Sequence, residues 1–318
     1  MSYLHTGGTM AAQYRSAFRA FAGREALVGD GARWSYAELA GRCHRMVRYL
    51  QSLGLRRQDG IAMLAGNAPE AVVVVIAAQL LGLRYTALHP MGALEDQAFV
   101  LRDAAIRLLV VDGTRFAARG AELTGLGIAE AVISLGTSGF GADAVVASAA
   151  FDGSETVIEV QGGDVSKISY TGGTTGRSKG VIHSQRTALT MTLQQLGGWG
   201  WPEPTRTLAI TPISHAAGAL MLPTFLRGGA LVLADKFSPA LFLQAVQDER
   251  ISATFLVPTQ IYGLLDFEGR ADYDRSSLQY VLYGAAPIAP ARLAEALRVF
   301  GPIFGQLYGQ AEAPMTIA

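Results

Sequence analysis

Short apolar runs of strand length alternate with helix-length amphipathic segments along most of the chain, and this rhythm leaves few folds open. Residues 61–64, 85–88 and 108–111 are strand-like, with helical patterns near 70–81 and 94–105 between them. Buried strands separated by helices imply parallel βαβ units. The second half repeats the pattern, with strand-like runs at 207–211, 230–233, 253–257, 278–282 and 303–308. Helices are expected after His215, after Ser238-Pro239 and after Pro290, since proline suits a first helical position. The first clear helix is predicted at 36–53, where Ser35 and Glu38 have capping-box spacing and Gly54 can end it. Its buried stripe is Leu39, Cys43, Met46, Val47 and Leu50. Residues 136–155 turn to Gly, Ala, Ser and Asp and are expected to form a surface connection. The prediction is an α/β chain of two doubly wound lobes, 1–165 and 166–318, with ligands at the carboxyl ends of the strands.

Composition narrows what such a chain can bind. Half of the 318 residues are hydrophobic, and 26 Lys and Arg balance 26 Asp and Glu. There is no global field to hold a polyanion, so no nucleic-acid partner is expected and any anion must be caught locally. The longest apolar stretch, 71–83, is too short to span a bilayer and contains Gln79. The first ten residues carry no basic region followed by an apolar core, so a cytoplasmic location is the expectation. A single cysteine, Cys43, excludes an internal disulfide and a cysteine-based metal cluster.

One segment concentrates anion-binding chemistry: Ser169-Tyr170-Thr171-Gly172-Gly173-Thr174-Thr175-Gly176-Arg177-Ser178-Lys179-Gly180. Its glycines let backbone N–H groups converge, its threonines add hydroxyl donors and Arg177 and Lys179 add positive charge, a combination suited to a triphosphate. It is not the P-loop of kinases and GTPases, in which Gly-Lys-Ser/Thr opens a helix. Lys179 follows Ser178 and leads into Gly180-Val181-Ile182, a strand-like continuation.

The segment resembles the phosphate loop of the adenylate-forming superfamily, which includes acyl-CoA synthetases, firefly luciferase and peptide-synthetase adenylation domains. The family pattern is Tyr-Thr-Ser-Gly-Thr-Thr-Gly-x-Pro-Lys-Gly, so Gly172 stands for a serine and Ser178 for a proline, changes that predict a looser loop. Three further segments follow in the family's order. Thr211-Pro212-Ile213-Ser214-His215-Ala216-Ala217-Gly218 resembles the segment that shapes the carboxylate pocket. Tyr283-Gly284-Ala285-Ala286-Pro287 resembles the loop beside the adenine, and Gln306-Leu307-Tyr308-Gly309-Gln310-Ala311-Glu312 resembles the family's Tyr-Gly-x-Thr-Glu. The resemblance implies a large N-terminal domain with two mostly parallel sheets and a small β subdomain, without the C-terminal lid.

It also implies residue roles. Thr171, Gly172, Gly173, Thr174, Thr175, Gly176 and Lys179 would bind the phosphates; Gly284, Ala285, Ala286, Pro287, Tyr308 and Gly309 would hold the nucleoside, with Tyr308 on the adenine. Glu312 and Thr175 would hold Mg²⁺, and His215, Gly218, Thr259, Gly284 and Gly309 would form the acid pocket. Lys179, Thr174, Thr175, His215 and Glu312 would carry catalysis. Ala311 stands where the family has a threonine at the α-phosphate, a lost donor at the reacting centre.

The implied reaction is attack of a carboxylate on the α-phosphorus of ATP, giving acyl-AMP and pyrophosphate, then transfer to coenzyme A. Amino-acid-activating members carry an aspartate for the substrate ammonium, and none stands at 213–220. An unpaired buried ammonium is costly. The apolar residues Leu220, Met221, Leu222, Leu256, Ile261 and Leu264 fit an aliphatic or aryl tail or belong to the core; fatty acids come first and aryl acids second. The family's ribose-binding aspartate, hinge and lid lysine are expected beyond Ala318, so residues 1–318 alone are not expected to form thioester efficiently. A non-catalytic binding module of the same fold is the rival reading. Whether the chain is a monomer or a homodimer stays open.

Overall fold

The computed structural model of the chain describes residues 8–171 and 178–317. In chain order the first elements are α1 (Met10–Ala20), β1 (Glu25–Gly29), β2 (Ala32–Ser35), α2 (Tyr36–Ser52), β3 (Gly60–Leu64), α3 (Pro69–Leu81), β4 (Arg84–Ala87), α4 (Leu94–Asp103), β5 (Ile106–Asp112), α5 (Ala117–Gly125), β6 (Ala131–Leu135), β7 (Ala142–Asp143), α6 (Ala144–Ala149), β8 (Val165–Thr171) and β9 (Lys179–Ser184). There follow α7 (Gln185–Gly198), β10 (Arg206–Ala209), α8 (Met221–Leu226), β11 (Ala230–Leu233), α9 (Pro239–Asp248), β12 (Ala253–Leu256), α10 (Pro258–Asp266), β13 (Tyr280–Tyr283), α11 (Pro290–Phe300), β14 (Phe304–Gln306), β15 (Tyr308–Gln310) and β16 (Ala313–Ile317).

Two compact units emerge: Met1–Gly23 with Trp34–Thr190, and Arg24–Arg33 with Met191–Ala318. The sequence-based division at 165/166 differs from this one in two places. The hairpin β8–β9 and the start of α7 stay with the first unit, because β8 pairs with β4. The segment 24–33 joins the second unit, because β1 pairs in parallel with β11, Leu27 opposite Leu231.

The first unit holds a seven-stranded sheet ordered β7-β6-β5-β3-β4-β8-β9. Its neighbours pair in parallel except β8 and β9, which form an antiparallel hairpin at one edge. Ala62, Leu64, Leu109, Val111 and Ile168 form one core with Val100 and Leu101 of α4. α2 is closed at its start by the Ser35–Glu38 capping box, and every residue of its predicted stripe is buried. α3 is buried on nearly all sides, as its continuous apolar sequence demands. No helix among the described residues is long and apolar enough to cross a membrane.

The expected surface connection at 136–155 is more ordered than its composition suggests. Asp143 caps α6 by accepting from the amides of Val145 and Val146. Beyond it, Arg45 donates to the Phe151 carbonyl and Arg48 to those of Asp152 and Ser154. His44, 3% exposed, contacts the Thr156 hydroxyl and accepts from its backbone amide through Nδ1. Burial above all pushes the His44 imidazole down to about 4.

A histidine kept neutral in the fold makes stability depend on pH with a definite sign. Between about pH 6.5 and 4 the unfolded chain binds the proton and the folded chain does not, so acidification through that window destabilises the first unit, by on the order of 3 kcal/mol. Urea midpoints measured from pH 7 to 5 should fall for the wild type and fall less for His44→Asn. Equal slopes in the two proteins would show that His44 is not the titrating group.

The second unit holds the sheet β14-β13-β12-β10-β11-β1-β2 and the separate two-stranded β15–β16. The turn joining β1 to β2 is Asp30-Gly31, both at positive φ (46° and 74°), the backbone a tight hairpin needs. Arg206 donates to Glu25 and Glu249, and Arg33 donates to the same two carboxylates, which closes a four-residue ionic ring. One face of the sheet packs Leu208, Leu256, Val281 and Tyr283 against Phe242, Ile261 and Leu264. On the alternate residues, Phe255 and Leu282 pack with Trp201, Leu220 and Leu307.

Candidate active site

The sequence-predicted residues divide between the units, and each set has its own local construction. In the first unit the candidate phosphate segment falls, in sequence, between β8 and β9, which pair as an antiparallel hairpin. Thr171 and Lys179 are register partners where it opens. The expectations for Gly172, Gly173, Thr174, Thr175 and Gly176 fall outside the described residues. Lys179 is exposed, and among the described residues it has no ion-pair partner. The expected loosening of the loop likewise falls outside the described residues, and only the hairpin neck is described. The Ser178 hydroxyl donates to the Thr171 carbonyl and ties the two strands together where a rigid ring would otherwise stand. Gly180 lies opposite Tyr170, and a Cβ there would come within 2.9 Å of Ile168 and 3.1 Å of the Tyr170 ring.

In the second unit the candidate segments follow the carboxyl ends of strands that are neighbours in one sheet. β14, β13, β12 and β10 are consecutive neighbours, and each ends in a segment singled out above. Adjacent strands stand about 4.8 Å apart, so four ends span roughly 15 Å, the scale of a nucleotide with a short acyl group. At β13 the chain passes from buried Tyr283 and Gly284 to exposed Ala285, Ala286 and Pro287. Gly284 is required because a Cβ would lie 2.7 Å from the Leu307 carbonyl oxygen. Ala285 has φ +67°, a left-handed conformation that costs a residue with a Cβ about 1 kcal/mol. Strain of this kind is typical of functional turns. The Leu307 amide donates to the Tyr283 carbonyl at 2.7 Å, which brings the Tyr308 segment beside the 284–287 loop.

Tyr308 is 65% exposed at the start of β15, and its ring is free to meet a ligand. Gly309 permits the hairpin to close, since a Cβ would meet the Met315 nitrogen at 2.4 Å. Ala311 and Glu312 form the two-residue turn between β15 and β16. Glu312 is exposed, and no cluster of three or more His, Cys, Asp or Glu side chains exists among the described residues. A single free carboxylate is a poor site for a fully protein-ligated metal. It suits Mg²⁺, which keeps several waters and is shared between one or two carboxylates and substrate phosphates.

At β10 the chain continues through buried Thr211 to a short 3₁₀ helix, Ala216–Leu220. His215 precedes that helix, exposed, with Nδ1 2.8 Å from the Ser214 hydroxyl. Gly218 is here for a steric reason, because a Cβ would lie 2.0 Å from the Ile213 carbonyl oxygen. Thr259 is exposed in the first turn of α10.

The proposed acyl-tail residues do not form one wall. Leu256, Ile261 and Leu264 belong to the helix-covered core, at most 3% exposed, and line a gap of about 10 Å³, too small for an acyl chain. Met221 and Leu222 are equally buried, each 1% exposed. Leu220 alone lies in the other cluster, with Trp201, Phe255 and Leu307. This cluster was not anticipated, although two tryptophans two residues apart at 199 and 201 are a visible signal. Their rings stack at 5.9 Å and 21°, and Trp201 Nε1 donates to the Gln195 carbonyl.

Comparison with known proteins fits this construction. The profile of the family described as AMP-binding enzyme matches residues 14–318. The chain is 40% identical over 299 residues to the medium/long-chain-fatty-acid–CoA ligase FadD8 of Mycobacterium tuberculosis, covering 92% of this chain and 52% of that protein. It is 29% identical to a feruloyl-CoA synthase of an Amycolatopsis species, over 91% of this chain and 56% of that one. Among solved structures, the amide bond synthetase McbA of Marinactinospora thermotolerans superposes with a TM-score of 0.86 at 29% identity, covering 96% of this chain and 60% of that chain. The chain thus spans about half the length of the curated relatives it matches. With the family profile matched almost end to end and a relative at this level of identity, the chain belongs to the AMP-binding enzyme family, and its fold is that of the large N-terminal domain of adenylate-forming enzymes.

Proposed function

We propose that this domain binds ATP and a hydrophobic carboxylic acid and joins them as an acyl-adenylate, releasing pyrophosphate, and that the acyl group then passes to coenzyme A. The observation that supports this reading is that the segments bearing His215, Gly284–Pro287 and Tyr308–Glu312 follow strands β10, β13 and β14 of one sheet. The 40% identity to a fatty-acid–CoA ligase supports a fatty acid as substrate. The feruloyl-CoA synthase relative supports an aryl acid as the second choice.

The first step needs no general base. A carboxylic acid of pKa about 4–5 is ionised at neutral pH, so the protein must align two anions and offset their repulsion. Lys179, with Thr174 and Thr175, holds the departing pyrophosphate in this reading. Tyr308 stacks on the adenine, and the exposed Ala285–Pro287 backbone borders it. His215 orients the acid, its ring steadied by Ser214. Mg²⁺, when bound through Glu312, supplies charge neutralisation at the phosphates. The carboxylate oxygen forms a bond to the α-phosphorus as the bond to the bridging oxygen of pyrophosphate breaks, and the mixed anhydride retains the energy for thiol attack. A location in the cytoplasm, where ATP and coenzyme A are available, accords with this chemistry.

Exchange of labelled pyrophosphate into ATP tests the reading directly. Over a panel of dodecanoate, ferulate, benzoate and leucine, exchange should depend on the acid, with dodecanoate highest and leucine at background. Binding of ATP with no acid-dependent exchange would instead support a non-catalytic module, the outcome Ala311 makes worth testing.

A further inference from the structure

The edge hairpin β8–β9 has a sheet neighbour on one side only, so something else must hold its open end in place. Tyr170, the last residue but one of β8, is gripped by a single face of α4. Its ring meets Phe99 edge-on, at 6.4 Å and 88°. Its hydroxyl donates to Asp103 Oδ2 at 2.6 Å. Phe99 and Asp103 are one helical turn apart and share a face. From the other strand, Gly180 leaves the space the ring needs.

Asp103 stands against local preference. It is the last residue of α4, where the helix dipole disfavours an anion, and its side chain is exposed. Burial, and then the bond to Asp103, push the Tyr170 phenol above its usual range, so it remains a neutral donor. A residue that breaks a local rule and whose hydrogen bond reaches the neighbour of Thr171 is explained by what that bond positions.

We propose that Asp103 is a positioning residue for the neck of the β8–β9 hairpin: through Tyr170 it fixes the direction in which the two strands present Thr171 and Lys179 to the outer phosphates of ATP. The proposal rests on the phosphate-binding reading of this hairpin. It concerns the β- and γ-phosphates, so ATP and AMP should respond differently.

The test is calorimetric binding of MgATP and of AMP to the chain and to Asp103→Ala, Tyr170→Phe, the double variant and Asp103→Glu. Tyr170→Phe keeps the ring packing and removes only the hydroxyl. Each single variant should weaken MgATP binding about 5- to 10-fold with AMP affinity unchanged, the double should be no weaker than either single, and Asp103→Glu should recover part of the loss. If the wild type binds MgATP and the variants match it, or lose ATP and AMP equally, the positioning role is overturned while the phosphate-loop reading stands. If the wild type binds MgATP no more tightly than AMP and Lys179→Met changes neither, the underlying reading fails and takes this inference with it.

Discussion

Replacing Lys179 with methionine is expected to reduce acid-dependent ATP–pyrophosphate exchange by about 10²- to 10³-fold, the usual scale for deleting one charged contact to a transition state. The folded state should hardly register the change. Lys179 is exposed at the first residue of β9, and its backbone, not its side chain, pairs with Thr171. Methionine keeps the length of the stem and removes the charge. Glu312→Gln should cause a loss of similar size for a different reason, because it removes from an exposed turn the carboxylate proposed to hold Mg²⁺. The two variants are therefore distinguishable. Raising the Mg²⁺ concentration should recover part of the activity of Glu312→Gln and none of that of Lys179→Met. Undiminished exchange in both variants would overturn the assignment of the phosphate and metal roles together.

How much of this was legible before any coordinates depends on the range of the interactions involved. α2 was readable to within a residue because its capping box, apolar stripe and terminal glycine lie within 20 positions of one another. The parallel sheets were readable because each βαβ unit repeats the same local pattern. The β1–β2 hairpin was not anticipated, although Asp30-Gly31 is a hairpin signal, and its place beside β11 could not be read from local pattern. That pairing joins residues about two hundred positions apart and is reinforced by the ring of Arg206, Glu25, Arg33 and Glu249. The candidate site follows the same rule. Glycines and charges in the four loops were visible as motifs, whereas the separation of Leu256, Ile261 and Leu264 from Leu220 depends on which face of the sheet each meets. Ser178 adds a contact that the substitution alone does not announce: its hydroxyl donates to the Thr171 carbonyl across the two strands.

Gly218→Ala should be among the most damaging single-methyl additions to the second unit, because no flexible group can move aside for it. The added Cβ would lie 2.0 Å from the Ile213 carbonyl oxygen, far inside the distance two such atoms tolerate. Ile213 is 6% exposed, and the turn between them is fixed by the Gly218 amide on the His215 carbonyl and the His215 amide on the Pro212 carbonyl. Relief therefore requires the 3₁₀ helix or the strand end to shift, which displaces His215. A cost of roughly 3 kcal/mol is expected, read as a lower urea midpoint at unchanged slope. The same substitution at Gly197, within α7 and with open space around its Cβ, should act in the opposite direction and stabilise by up to about 1 kcal/mol through helix propensity. Alanine at 218 should also weaken acid-dependent exchange beyond what lost stability explains, since the residue that moves is the one assigned to the carboxylate. If Gly218→Ala proved as stable as the wild type, the tight turn would not be what places His215 at the strand end.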